Sequence, residues 1–272
     1  MTSLLVCSVV AILGQAAPNS PAEEPPAASD VDRAEETVRR ARTEAQRYEI
    51  LRDDDRQARA ELQDKPILKW SNPSEGSLFG SVVLWTVQGR PEAVASIYRW
   101  YGDKQEFHAE IKSLSTHALK VTRNKETTWD AQPADVKFQE LAHEAPAASE
   151  AGRLRQMRDI ARRFAAALIH PRRGTNELRL LPQPVYRYEK TPDNVVDGGL
   201  FAFVQGTDPE IFLLVEAEKA AAGVRWRYAV SRMNMHELHL SLDGKEVWSA
   251  NQLTWNEVSS RRGPYAILLL EY

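Results

Sequence analysis

Two segments of the sequence, residues 66–129 and 184–248, carry the same features in the same order, and this repetition constrains the fold most strongly. Each segment opens with a proline and a short run that ends in an aromatic residue. A glycine before Leu-Phe, a Val-Gln-Gly turn, and a histidine ahead of a strand-like run and a tryptophan then follow. The matched stretches are residues 66–70 with 184–188, 76–79 with 198–201, 87–92 with 204–210, and 117–129 with 236–248. This shared order predicts an internal duplication, because turns can absorb the small differences in spacing.

The composition is that of a globular chain able to bury a sizeable core. The 272 residues correspond to one large domain or two small ones, with 43% hydrophobic and 27% charged residues. The net charge of -3 gives no excess of positive charge, and the paired arginines along the chain are short runs interrupted by acids. A nucleic-acid partner is therefore not expected.

The N-terminus predicts a secretory signal peptide over residues 1–16. Residues 4–13 are apolar and Gly14-Gln15-Ala16 offers a small-x-small cleavage site, although no Lys or Arg precedes the apolar run. A wrongly placed start site is the alternative interpretation. The apolar run is too short to cross a bilayer, so no integral span is expected after cleavage, and the protein is expected to be secreted or periplasmic. Removal of the signal would remove Cys7, the single cysteine, and with it thiol chemistry.

A linker rich in Pro and Ala is expected over residues 17–29, followed by a charged amphipathic helix over residues 30–64 with Ser29 or Asp30 as its cap. The apolar seam of this helix consists mostly of small residues, which favours docking on a surface over a self-sufficient coiled coil. The body of the same chain is one docking partner. An envelope protein or peptide is the other partner that the pattern allows.

The pattern over residues 65–130 predicts strands joined by short turns, including strands over residues 78–87 and 92–100. A connection and a second amphipathic helix, beginning near Ser149, are expected over residues 131–170. Residues 171–272 then give a second strand set and a final strand over residues 266–270. Short turns leave no room for crossover helices, so the pairing must be mostly antiparallel. The sequence predicts a duplicated α+β fold, a helix plus about five strands in each copy, forming one curved sheet or two pseudo-twofold-related sheets.

The run His236-Glu237-Leu238-His239 is the one candidate metal motif. Its histidines are three residues apart instead of the four of helical zinc sites, and the surrounding alternation indicates a strand, in which they point to opposite faces. His236 also matches His117 of the first copy. We therefore expect a structural role and no metal ligands.

Asp208 and Glu210 form the one candidate carboxylate pair, but they lie at a predicted hairpin tip, where solvent leaves a carboxyl pKa unshifted. Turn chemistry accounts for Asp208. The sequence has no nucleophile elbow, phosphate-binding glycine loop or dinucleotide fingerprint, so no catalytic or cofactor-binding residue and no cofactor is expected. Seven tryptophans allow an aromatic binding surface, although the matched pair Trp129 and Trp248 is expected to anchor the core.

Three runs, residues 70–73, 180–188 and 242–248, resemble those of uncharacterised secreted proteins of planctomycete-type bacteria. The resemblance covers about residues 65–250. It implies an extracytoplasmic location and brings no activity, cofactor or site residue with it.

Two hypotheses follow from these patterns. The first is a non-catalytic extracytoplasmic binding or scaffold module of the cell envelope, with a flat or grooved sheet surface carrying the specificity. A deep cleft of hydrogen-bonded titratable groups would count against it. The alternative is an envelope hydrolase of unfamiliar type that acts in a groove between the two copies, where pockets commonly form.

Overall fold

The computed structural model describes residues 29–53, 58–102, 106–132, 136–142, 145–189, 191 and 194–270. The expected signal peptide and residues 17–28 of the expected linker lie outside these residues. Within the described ranges, no helix combines the length and apolar character needed to cross a bilayer.

The first half of the chain is one helix followed by eight strands, and we call it the first unit. The helix α1 (Asp30–Ala45) begins with a capping box in which Ser29 and Asp32 bind each other's backbone N–H groups. The strands are β1 (Tyr48–Arg52), β2 (Arg59–Leu62), β3 (Leu68–Ser71), β4 (Leu78–Val87), β5 (Arg90–Trp100), β6 (Phe107–Ser113), β7 (Leu119–Arg123) and β8 (Glu126–Ala131).

The second unit repeats this element order. The helix α2 (Glu150–Ala161) is capped by Ser149, whose side chain accepts from the Gly152 N–H. The strands of this unit are β10 (Phe164–His170), β11 (Gly174–Leu180), β12 (Tyr186–Glu189), β13 (Val195–Gln205), β14 (Asp208–Ala220), β15 (Gly223–Arg232), β16 (Glu237–Leu242) and β17 (Lys245–Ala250). Outside both units lie β9 (Gln139–Glu140), α3 (Trp255–Ser259) and β18 (Tyr265–Leu269).

The two units pair their strands identically. The first sheet runs β8-β7-β1-β2-β4-β5-β6-β18 with β3 beside β4, and the second runs β17-β16-β10-β11-β13-β14-β15-β9 with β12 beside β13. All of these strand pairs are antiparallel. The predicted duplicated α+β fold is therefore confirmed in its two-sheet form, with eight strands in each unit where about five were expected.

Each unit also completes the sheet of the other. β9 follows the first unit in sequence but pairs with β15 of the second. β18 follows the second unit but pairs with β6 of the first. The hairpin tips are reciprocal as well: Tyr186 donates to the Gly89 carbonyl (3.1 Å), and Thr207 donates to the Ser71 carbonyl (2.9 Å). Such reciprocity is that of a pseudo-twofold arrangement.

Both predicted helices extend too far along the chain. The first was expected over residues 30–64, but α1 ends at Ala45 and β1 and β2 follow; the second was expected to reach residue 170, but α2 ends at Ala161 and β10 follows. In β1, buried residues alternate with half-buried ones, which is the two-residue period of a strand. Pairing of β1 with β7, far away in sequence, overrides the local helical pattern. Each unit accordingly begins at its helix, earlier than the expected boundaries at residues 65 and 171.

Three groups of buried apolar side chains make up most of the core. One lies between α1 and the first sheet, around Trp85 and Trp129, and a second lies between α2 and the second sheet, around Phe201 and Trp226. The third lies between the two sheets and draws on both units. This inter-sheet core fixes the units against each other and therefore fixes the geometry of any site at their junction.

Candidate functional site

A cavity of about 350 Å³ opens at the junction of the two units. Its walls come from the loop after β3 and from β5 and β6 on one side, and from β14, β10 and the turn between β15 and β16 on the other. The location is the groove between the copies that the hydrolase hypothesis required. Hydrogen-bonded titratable groups converge in it, which counts against the flat or grooved surface that the binding-module hypothesis expected.

Three carboxyl groups from two strands meet in this cavity. Asp208 and Glu210 are the first and third residues of β14, so both point to the same face of the sheet, and Glu110 comes from β6 of the other unit. None of the three has an ion-pair partner among the described residues. The tertiary packing therefore gathers three acidic groups without neutralising them.

Glu110 is held between two tyrosines. Tyr98 donates to its Oε1 (2.9 Å) and Tyr265 donates to its Oε2 (2.8 Å). Burial raises the pKa of the Glu110 carboxyl to about 7, although the two tyrosine hydrogen bonds act in the opposite direction. A carboxyl with a pKa near 7 populates both its protonated and its ionised form at physiological pH.

Glu210 is 2% exposed and accepts one side-chain hydrogen bond from a described residue, from Asn234 Nδ2 to Oε2 at 2.5 Å. Burial raises its pKa, the Asn234 hydrogen bond lowers it, and the negative charges of Glu110 and Glu75 raise it further. The pKa of Asp208 is also raised, first by burial and then by Glu210 and Glu110. Within the cavity these groups therefore resist carrying their negative charges together.

The prediction that Asp208 and Glu210 occupy a solvated hairpin tip is wrong. The tip lies against the first unit, where Ser71 exchanges hydrogen bonds with Thr207 and the side chain of Asn72, 3% exposed, bonds to Asp208. These contacts join residues more than a hundred positions apart. The hairpin pattern alone could not show that the other unit covers this tip.

Three histidines also line the cavity. His108 is 8% exposed; its ring stacks on Tyr98 at 5.5 Å, its Nε2 lies 3.2 Å from Glu106 Oε2, and its Nδ1 has no hydrogen-bond partner among the described residues. His170 and His236 face each other at the opposite wall, with ring centroids 4.7 Å apart. Burial, followed by the charge of His170, lowers the pKa of His236.

His236 and His239, the sequence candidates for a metal motif, lie in separate places. His239 projects from β16 between Glu237 (2.9 Å) and Glu246 (2.7 Å), away from the cavity, and hydrogen bonds to both carboxylates raise its pKa. Over the ranges that the structure describes, no group of three or more His, Cys, Asp or Glu residues is arranged to hold a metal ion.

Aromatic rings form a continuous wall beside the acids. Tyr98 lies 5.6 Å from Trp70 and 5.6 Å from Trp100 between ring centroids, and Trp70 is fixed by a hydrogen bond from its Nε1 to Ser96. Trp255 of α3, 55% exposed, stands in the cavity wall near solvent. Trp129, expected as a core anchor, is fully buried, and its match Trp248 is half-buried against the second core.

Sequence reasoning gave no role to Tyr98, His108 or Glu110. One signal was available: His108, Glu110 and Lys112 occupy one face of a strand in a sheet that was expected to pack on its twin. A polar face on a strand directed at an apolar interface marks a site or an ion-pair network.

Comparison with models of known protein families, with curated proteins and with solved structures finds no match. The chemistry of the cavity is therefore the basis for inferring function.

Proposed function

We propose that the protein is an extracytoplasmic binding module whose cavity takes a small organic cation. The observation that carries this proposal is the charge of the cavity wall. Five carboxyl-bearing side chains line it, and among the described lining residues there is no lysine or arginine. Glu75 pairs with Arg173 and Glu106 with His108, which leaves Glu110, Asp208 and Glu210 for a ligand.

A cation bound among these three carboxyls would supply positive charge, which no described lysine or arginine of the cavity wall provides. Opposite charges a few ångströms apart attract far more strongly in a partly buried site than in water, so the bound cation favours the ionised carboxylates. The rings of Trp70, Tyr98 and Trp100 add cation–π attraction on the adjacent wall. Binding should therefore strengthen as pH rises from 6 to 8 and should release protons.

The apolar run at residues 4–13 supports the extracytoplasmic location, because it has the length and composition of a signal-peptide core. The shape and lining of the cavity support a small-molecule ligand, since the cavity is concave and combines aromatic rings with a few convergent polar groups.

Isothermal titration calorimetry of the protein with amines and guanidines, at pH 6 and pH 8, tests the proposal. Paired buffers of different ionisation enthalpy would measure proton release. Glu210→Gln and Asp208→Asn should weaken binding at least tenfold, whereas Glu177→Gln, at an exposed carboxylate outside the cavity, should leave it unchanged. Saturable binding of neutral sugars, with none of cations, would refute the proposed ligand class.

A hydrolase remains the second candidate because the pKa of Glu110 near 7 suits a general acid. It is the weaker candidate because hydrolysis by paired carboxyls also needs one that is ionised at rest, and the pKa of all three is raised. Turnover of envelope glycans or peptides that Glu110→Gln abolishes, with binding retained, would reverse this order.

A further inference from the structure

The repeat relates the cavity to the opposite end of the inter-sheet core. At that end, side chains of the protein itself occupy the space that corresponds to the cavity. Asp208 and Arg90 each begin the second long strand of their unit, and the neighbouring strand registers match. The cavity residues Asp208, Glu210, Tyr98, His108 and Ile267 thereby correspond to Arg90, Glu92, Glu216, Arg227 and Phe138, which we call the filled end.

Arginine occupies the filled end. Arg90, 1% exposed, places Nε 3.2 Å from Glu216 and Nη1 3.6 Å from Glu92. Arg227 binds the other oxygen of Glu216 with Nη2 at 2.7 Å. Both guanidinium groups lie over the Phe138 ring, with the Arg90 Cζ 5.4 Å and the Arg227 Cζ 4.2 Å from its centroid. The chain itself thus provides two guanidinium groups stacked on a ring and paired with carboxylates.

At the cavity, other residues take the positions of these two arginines. Asp208 and His108 stand where Arg90 and Arg227 stand at the filled end, and Ile267 replaces Phe138. Of the two acids that face Arg90, Glu92 is retained as Glu210, which is 2% exposed, whereas Glu216 is replaced by Tyr98. The buried Nδ1 of His108 also lacks a partner among the described residues. The retained acid and this unpaired nitrogen mark a position that a ligand completes.

We propose that the group bound in the cavity is a guanidinium, carried by a small molecule or by an arginine side chain. The inference rests on the proposed cation-binding function and narrows its ligand class. A guanidinium is planar, offers parallel N–H donors to carboxylates and stacks on aromatic rings, whereas an ammonium is a compact and strongly hydrated point charge. Asp208 and Glu210 supply the acceptors on one strand face, and the rings of Tyr98 and Trp70 supply the flat surface.

Calorimetry at pH 8 with matched pairs of ligands tests the class. Agmatine should bind at least tenfold more tightly than 1,5-diaminopentane, and N-acetylarginine amide more tightly than N-acetyllysine amide. If agmatine is the one guanidine that binds, the guanidinium comes from a free small molecule. If N-acetylarginine amide binds as well, the cavity also accepts an arginine side chain of a peptide. Equal or tighter binding of the amines would overturn the guanidinium class and leave the cation site standing. Binding of none of the four would overturn both.

Asp208→Arg provides a test that depends on the repeat itself. The new side chain would stand where Arg90 stands at the filled end and would occupy the cavity with an internal guanidinium. Agmatine binding should be lost while the thermal midpoint at pH 8 stays at or above that of the unsubstituted protein, because the new charge lies among acids. Glu177→Arg is the matched control and should keep binding. Retained agmatine binding by Asp208→Arg would contradict the proposal.

Discussion

The indole of Trp70 lies so close to Gly80 that no side chain fits between them. The two residues are opposite each other on β3 and β4, and a Cβ at Gly80 would lie 2.1 Å from Trp70 Cε2. Tyr188 and Gly198 repeat this contact on β12 and β13, where the added Cβ would lie 2.4 Å from the ring. Because Trp70 lines the cavity, Gly80 sets the position of the cavity wall.

Gly80→Ala should therefore destabilise the protein by about 2 kcal/mol, the usual range for overpacking a buried contact. Trp70 is 5% exposed and hydrogen-bonded to Ser96, so its ring cannot move aside freely. Urea denaturation measures the change in the free energy of unfolding. Gly102→Ala is the control, because an added Cβ there meets nothing within 4 Å and should cost little. Equal stability of the two variants would show that Trp70 is mobile.

Stability should fall as pH rises from 5 to 8. The pKa of Glu110 is about 7 in the folded chain and 4.5 in its ordinary state, so folding favours the protonated form. The stabilisation is fully present below the ordinary pKa and is lost as pH rises through the folded value. Glu110→Gln should reduce this pH-dependent loss by about 2 kcal/mol, as measured by denaturation at several pH values. Asp208 and Glu210 contribute with the same sign, so some dependence should persist; an unchanged slope in Glu110→Gln would contradict the prediction.

Arg90 should contribute strongly to stability. Its replacement by Met leaves the buried carboxylates of Glu216 and Glu92 with less positive charge beside them. Removing one partner of a buried ion pair costs about 3–5 kcal/mol, and we expect a loss in that range by chemical denaturation. Arg155→Met, on the exposed face of α2, should change stability by less than about 0.5 kcal/mol. A loss below about 1 kcal/mol at Arg90 would mean that Arg52, whose Nη1 lies 3.5 Å from Glu92, and Arg227 suffice to balance the carboxylates of the filled end.

Deleting the C-terminal residues from 264 onward should loosen the first sheet before the second. β18 pairs with β6 along its whole length, so its loss exposes an edge in the distant first unit. Hydrogen exchange should show faster exchange of β6 amides, while β14 and β15 keep their protection. Leu269→Lys changes a side chain that is 61% exposed and should leave both sheets protected. Loss of protection confined to the second unit would contradict the pairing.

Local patterns in the sequence predicted the elements that turn residues and alternating burial define over a few positions. The hairpin of β4 and β5, the β16–β17 turn and the match of Trp129 with Trp248 are of this kind, since turn residues and alternation are short-range signals. The helix ends were missed because Tyr48 fits both a helical and a strand period, and pairing with Arg123 decides between them. A groove between the copies was expected under the hydrolase hypothesis, but its residues were missed because Asp208 and Glu110 meet across two units, and no local signal encodes that contact.

The reciprocal pairing of β9 and β18 means that this chain is built like a strand-exchanged homodimer whose two subunits have been joined end to end. In such a dimer both ends of the interface are the same, so an ancestral half-length chain would have carried two equivalent cavities. In the joined chain the two ends are no longer equivalent, because Arg90 and Arg227 occupy the filled end and Asp208 and Glu210 line the cavity. A cut in the connection between β9 and α2 should accordingly yield two fragments that reassemble without a covalent link, each supplying the missing edge of the other.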